Sequence, residues 1–249
     1  LSPTDAQRQA YLAAVLTTVD RFVDDGTGNP AAMAKIAIAL TALGIDARQI
    51  PDPDGGEAID LVKAAAAAYR AAADDNPVYS APYLLSLYDL GNYEIPAGAA
   101  ITRLELIEAL LRAEADGTSW GYDGAGMVLP ALAPYYNATE PVNGVDLATC
   151  REVTEAVKRA LTFLSSTQTI DGGFGSPNSN TVSTVITGLS AIGINANTDS
   201  RLIKSGTSLL MNLLSFRTAE DKLGFADGSS ADVFACLQGF QALAVWQNL

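Results

Sequence analysis

The chain has 249 residues, 49% of them apolar, so it can bury a sizeable core and is globular rather than disordered. A formal charge of -13 repels phosphate backbones and anionic lipid, which sets it against nucleic acid and membrane surfaces as partners, and no apolar run approaches the ~18 residues a membrane span requires. Histidine is absent, which removes Ser-His-Asp and Cys-His catalysis and almost every zinc or non-haem iron site. The two cysteines, Cys150 and Cys236, form no CxxC; they read either as small buried hydrophobes or as a disulfide of a secreted protein. The sequence opens at Leu1 without Met or a signal-like segment, as expected of a processed product or a piece of a longer chain.

Helical periodicity appears first over 4–24, with Ser2 and Pro3 as its start signal. Further amphipathic helices are expected over 57–73 (opened by Asp54 and Glu57), 100–115, 147–166 and 200–216. Between them lie segments rich in Ala, Ser, Thr and Gly, closing with ALTALG (39–44), LYDLG (87–91), ALAPYY (131–136), GLSAIG (188–193) and GFQALA (239–244). Their last residues fall 47, 45, 57 and 51 apart, a period of two helices and two joints. The nearly uncharged set suits an inner layer buried on most sides, and the amphipathic set an outer one. No strand pattern stands out. Five helical hairpins result, 4–43, 57–90, 100–136, 147–193 and 200–246.

RALTFLSSTQTIDGGFG (159–175) ends an outer helix and delivers the chain to an inner one. Weaker copies are EADGTSWGYDG (114–124), AEDKLGFADG (219–228) and VDDGTGNP (23–30). Glycine permits φ > 0, and aspartate closes an Asx turn, so Asp171-Gly172-Gly173-Phe174-Gly175 reads as a structural joint. Phe174, Trp120 and Phe225 are expected to fill wedges between hairpins. A joint is needed at every repeat, a catalytic loop only once.

Arg159-Ala160, Phe163-Leu164, Gln168, Gly172 and Phe174 match the spacing of the QW repeat of squalene and hopene cyclases, with Phe where Trp is usual. The Asp-Gly-Gly-Phe-Gly core resembles the prenyltransferase and squalene-oxidase repeat. The resemblance implies an α/α toroid, a double ring of about 10–12 helices spanning residues 1–249 as one domain, in which Gln168 ties successive hairpins together. That superfamily includes terpene cyclases, prenyltransferase β-subunits, thioester domains and the helical domain of cobalamin carriers, so a cobalamin-like ligand is implied by resemblance alone. Its catalytic motifs do not carry over. DPDGG (52–56) fails the Asp-x-Asp-Asp pattern, Gly28 breaks Asp-Asp-x-x-Asp after Asp24-Asp25, and Cys150 is followed by Arg151-Glu152 rather than Gly-Glu. No histidine is present for a prenyltransferase zinc.

DPDGGE also fails as a calcium loop, with Gly56 and Lys63 at ligand positions. Asn137-Ala138-Thr139 is a glycosylation sequon, and Tyr69, Tyr79, Tyr83, Tyr88, Tyr93, Tyr135 and Tyr136 belong to the core or to a stacking surface. Two function classes follow. One is a non-catalytic module of an exported bacterial, secreted or cell-surface protein with flanking domains, binding a small molecule, glycan or protein partner without a metal. The other is a carbohydrate-active hydrolase or lyase with paired carboxylates, which needs no histidine; a terpene cyclase-like enzyme comes third. The binding residues expected along the rim are Trp120, Tyr122, Asp123, Asn178, Asp227 and Asp232, with Asp123, Asp227 and Asp232 as the acids of the enzymatic alternative.

Overall fold

The computed structural model describes residues 3–24, 28–52, 55–72, 76–93, 95, 100–115 and 120–249. Among these the chain forms ten α-helices: α1 (Asp5–Asp24), α2 (Pro30–Ala42), α3 (Leu61–Ala72), α4 (Ala81–Leu90), α5 (Arg103–Ala115), α6 (Gly121–Leu132), α7 (Leu147–Thr167), α8 (Ser179–Ala191), α9 (Leu209–Ser215) and α10 (Val233–Gln247). The described residues are thus all-α apart from one small hairpin, and the chain divides into two units, Leu1–Leu110 and Leu111–Leu249, with α5 crossing the division. The expected start signals Ser2 and Asp54, and parts of the joints at 23–30 and 114–124, lie outside the described residues.

In the first unit, α2 begins where Asn29 accepts from the Ala32 N–H at 3.0 Å and Pro30 supplies a preset φ. The helix expected from 57 starts only at Leu61. Ile50 and Ile59 exchange two backbone hydrogen bonds that hold the chain extended, and the Asp60 carboxylate then accepts from Lys63 N–H. Likewise α5 starts at Arg103, behind a reciprocal cap between Thr102 and Glu105. Helices α2 and α4 run parallel: Lys35 lies over the Tyr83 ring at 4.2 Å, and Thr41 meets the Tyr93 hydroxyl at 2.8 Å further along. Helix α3 packs on both, on the return path between them. Arg103, donating to the Asp89 carboxylate and to the Tyr88 and Tyr93 carbonyls, fixes the start of α5 against the end of α4.

In the second unit α6, α8 and α10 pack side by side, with α8 in the middle. They are parallel. Phe174, before α8, stacks on Tyr122 at the start of α6, while Gly188 in the last half of α8 packs against Gly126 and Leu129. Gly239 sits near Ser183, and the Trp246 indole N–H donates to Asn195 beyond the end of α8. Helix α8 is buried on most sides, whereas α7 buries one stripe, Cys150, Val153, Val157, Ala160, Leu161 and Leu164. Cys150 is buried and Cys236 half-buried, and both are free thiols. Burial pushes the Cys150 thiol up.

The helix expected over 200–216 is replaced by a 3-10 turn (Ser200–Leu202), strands β1 (Ile203–Lys204) and β2 (Thr207–Ser208), and only then α9. Ser205 and Gly206 both take positive φ, +50° and +85°, the two-residue geometry that closes an antiparallel hairpin. Ser208 then caps α9 by accepting from Met211 N–H.

Asp46, Glu105, Asp146, Asp171 and Asp199 all sit below the ordinary carboxylate range, through hydrogen bonds from Arg48, Arg70, the Thr149 N–H, the Thr169 hydroxyl and Arg201 respectively. A carboxylate whose folded-state pKa is depressed stabilises the fold above its unfolded value, and that contribution is lost as pH falls through the folded one. Melting temperature is therefore expected to be flat near neutrality and to fall below about pH 4. The measurement belongs at high salt, where the general repulsion of the -13 chain is screened; a rise on acidification would contradict it.

Candidate functional site

The joint after α7 is built from the inside. The Gln168 side chain is buried, and its Nε2 donates to the carbonyls of Gly172 and Leu202, both at 2.9 Å. Gly172 has φ +84°, and a Cβ there would lie 2.9 Å from the Ser208 carbonyl; a Cβ on Gly173 would meet the Asn212 amide at 3.0 Å. Asn212 in turn donates to the Asp171 carbonyl, while the Asp171 carboxylate accepts from Thr169 Oγ1. The motif thereby binds the end of α7 to β2 and α9. Gly175 has φ +48° beside the Tyr122 ring.

Tyr122 is sandwiched between Phe163 and Phe174, with ring centroids at 5.3 and 5.0 Å. Trp120 is buried directly before α6, and Phe174 is buried as well. Phe225 is not the expected wedge, being 49% exposed; only its backbone joins the assembly, accepting from Ser179 N–H at 2.9 Å. Ser179 Oγ also donates to the Gly224 carbonyl. Segments 120–126 and 174–180 thus meet through the ring stack, and 174–180 meets 224–225 through Ser179. Asn178 and Asp232 are N-caps, accepting from Thr181 N–H at 2.8 Å and Ala235 N–H at 2.7 Å. Asp123 is exposed in the first turn of α6, and Asp227 is exposed in the turn before α10. Among the described residues no group of three or more acidic or cysteine side chains is arranged to hold a metal.

Two features escaped sequence reasoning. The first is an open cavity of about 540 Å³ on the outward side of α7, where Lys158, Thr162 and Ser165 share a helical face with Tyr136, Arg201 and Lys204 opposite. The spacing 158, 162, 165 is legible in sequence, whereas the helix expected over 200–216 gives no sign of the turn and hairpin that bring Arg201 and Lys204 opposite it. The second is α10, which carries no charge at any position and bares Val233, Phe234, Leu237 and Phe240, at 77, 59, 63 and 63% exposure. The uncharged stretch was visible in sequence and read as inner-layer packing. The chain matches no family model, no curated protein and no solved structure.

Proposed function

We propose that this chain is a non-catalytic binding and structural domain of an exported bacterial protein, an α/α toroid of the prenyltransferase/squalene-oxidase repeat type, that associates through the open edge of α10. Parallel inner helices and the buried Gln168 joint support the repeat reading. The bare stripe of α10 carries the functional one.

Residues Val233, Leu237, Phe240 and Ala244 lie about 200° around the helix from Ala235, Gly239 and Ala242, the buried residues of α10. Their 3.6-residue periodicity is that of a helix-packing ridge. With Phe234 they present on the order of 400 Å² of apolar surface, the size at which a patch marks an interaction site. A second copy of this chain satisfies the edge: two uncharged stripes meet without the like-charge repulsion that separates two -13 chains elsewhere. An area this small predicts weak, concentration-dependent dimers.

Sedimentation velocity across a concentration series tests this. Self-association that Leu237→Glu abolishes, with a melting temperature unchanged within about 2 °C, is the expected result. A monomer at every concentration would overturn the dimer, and a large fall in melting temperature would show that the stripe belongs to the chain's own core.

A further inference from the structure

The cavity on α7 is independent of the α10 edge and has a chemistry of its own. In a chain with 28 acids and 15 bases it gathers Lys158, Arg201 and Lys204 around one opening. Lys158 pairs with Glu155 at 2.8 Å and Arg201 with Asp199 at 2.7 Å. The Lys158–Glu155 pair is largely exposed, so a ligand anion can displace it at little cost. Among the described residues Lys204 Nζ has no carboxylate within 4.0 Å; it reaches only the Arg201 carbonyl, at 3.4 Å. Tyr136 lines the same cavity as Lys158 and Arg201.

The hydroxyls decide the ligand class. Thr162 Oγ1 donates to the Lys158 carbonyl at 3.0 Å, and Ser165 Oγ donates to the Arg201 carbonyl at 2.7 Å. While their hydrogens are given to backbone carbonyls, these oxygens offer a ligand their lone pairs. The cavity therefore offers acceptors, cationic donors and an aromatic side chain together. A phosphate ion at neutral pH has few hydrogens to give the acceptors, and a neutral sugar has no anion for Lys204. An acidic sugar has both, plus an apolar ring face for tyrosine. Its volume falls within the ~300–1,000 Å³ of small-ligand sites.

We infer that the cavity bounded by Tyr136, Lys158, Thr162, Ser165, Arg201 and Lys204 is a binding site for a uronic-acid-containing saccharide. Sugar hydroxyls donate to Thr162 and Ser165, and the carboxylate is held by Lys204 with Arg201.

Isothermal titration of the chain with digalacturonate, the neutral galactose disaccharide and inorganic phosphate tests this. The acidic disaccharide is expected to bind at least about tenfold more tightly than either control. Lys204→Gln is expected to cost about tenfold with an unchanged melting temperature, and Lys204→Arg to retain binding. Equal affinity for the neutral disaccharide would overturn the role of the cations. Equal affinity for phosphate would reduce the cavity to a plain anion site. No heat with digalacturonate at concentrations on the order of 10 mM, or no effect of Lys204→Gln, would overturn the inference as well.

Discussion

Gly126→Ala is expected to destabilise the Leu111–Leu249 unit by about 3 kcal/mol or more, lowering its melting temperature by on the order of 10 °C. A methyl group at Gly126 would lie 2.5 Å from the backbone carbon and oxygen of Thr184, and those atoms cannot rotate aside. Gly188 shows the same contact from the other helix, with its added Cβ 2.9 Å from the Gly126 Cα. The sign is diagnostic. In a helix without this contact, Gly→Ala stabilises by about 1 kcal/mol, because alanine loses less backbone entropy. Urea denaturation of the single and double alanine variants measures it. Crowding at one shared contact predicts that the double variant costs less than the sum, since either substitution already separates α6 from α8. A neutral or stabilising Gly126→Ala would mean that these helices do not approach this closely.

Gln168→Glu is the second large effect. At pH 7 it replaces a donor by a carboxylate oxygen between two carbonyls that Nε2 now reaches at 2.9 Å, inside a buried joint. The cost is expected to be about 3 kcal/mol or more, and larger than for Gln168→Ala, which leaves the Gly172 and Leu202 carbonyls unpaired for about 2 kcal/mol. The pH dependence has a definite sign. Burial and the facing carbonyls raise the folded-state pKa of the new carboxyl above its unfolded value of about 4.3. The protonated form can donate, so the stability it contributes is present at low pH and lost as pH rises through the raised pKa. The gap in melting temperature between Gln168→Glu and the parent should narrow from pH 7 to pH 5. A constant gap would show that water reaches the joint.

Much of this molecule is local in origin. Asparagine or aspartate ahead of an apolar run marks where α2, α8 and α10 begin, at Asn29, Asn178 and Asp232, because a cap needs only its own next three residues. The span of α7 follows from its amphipathic period, and Gly172 is legible as a turn glycine because the chain reverses there at φ +84°. Where a local signal had two outcomes, the neighbours chose. Residues 57–60 and 200–208 have helical composition, but Ile50 pairs with Ile59 and Ser205-Gly206 closes a hairpin, and a formed ladder outweighs helix propensities of a few tenths of a kcal/mol per residue. Phe225 resembled Phe174 in sequence, yet one is half exposed and the other buried, since only Phe174 has Tyr122 to stack on.

By itself the sequence determined the helix class, the turn glycines and the net charge, all properties of residues within a few positions of one another or of the whole composition. Tertiary structure alone decided which groups share a surface. Tyr136, the Lys158 face of α7 and the turn holding Arg201 and Lys204 come from three separate segments of chain, and α10 shows a bare stripe only because its opposite side is occupied by α8. Coincidence in space between distant residues leaves no periodicity to read, which is why the cavity and the edge appear only once the helices are packed.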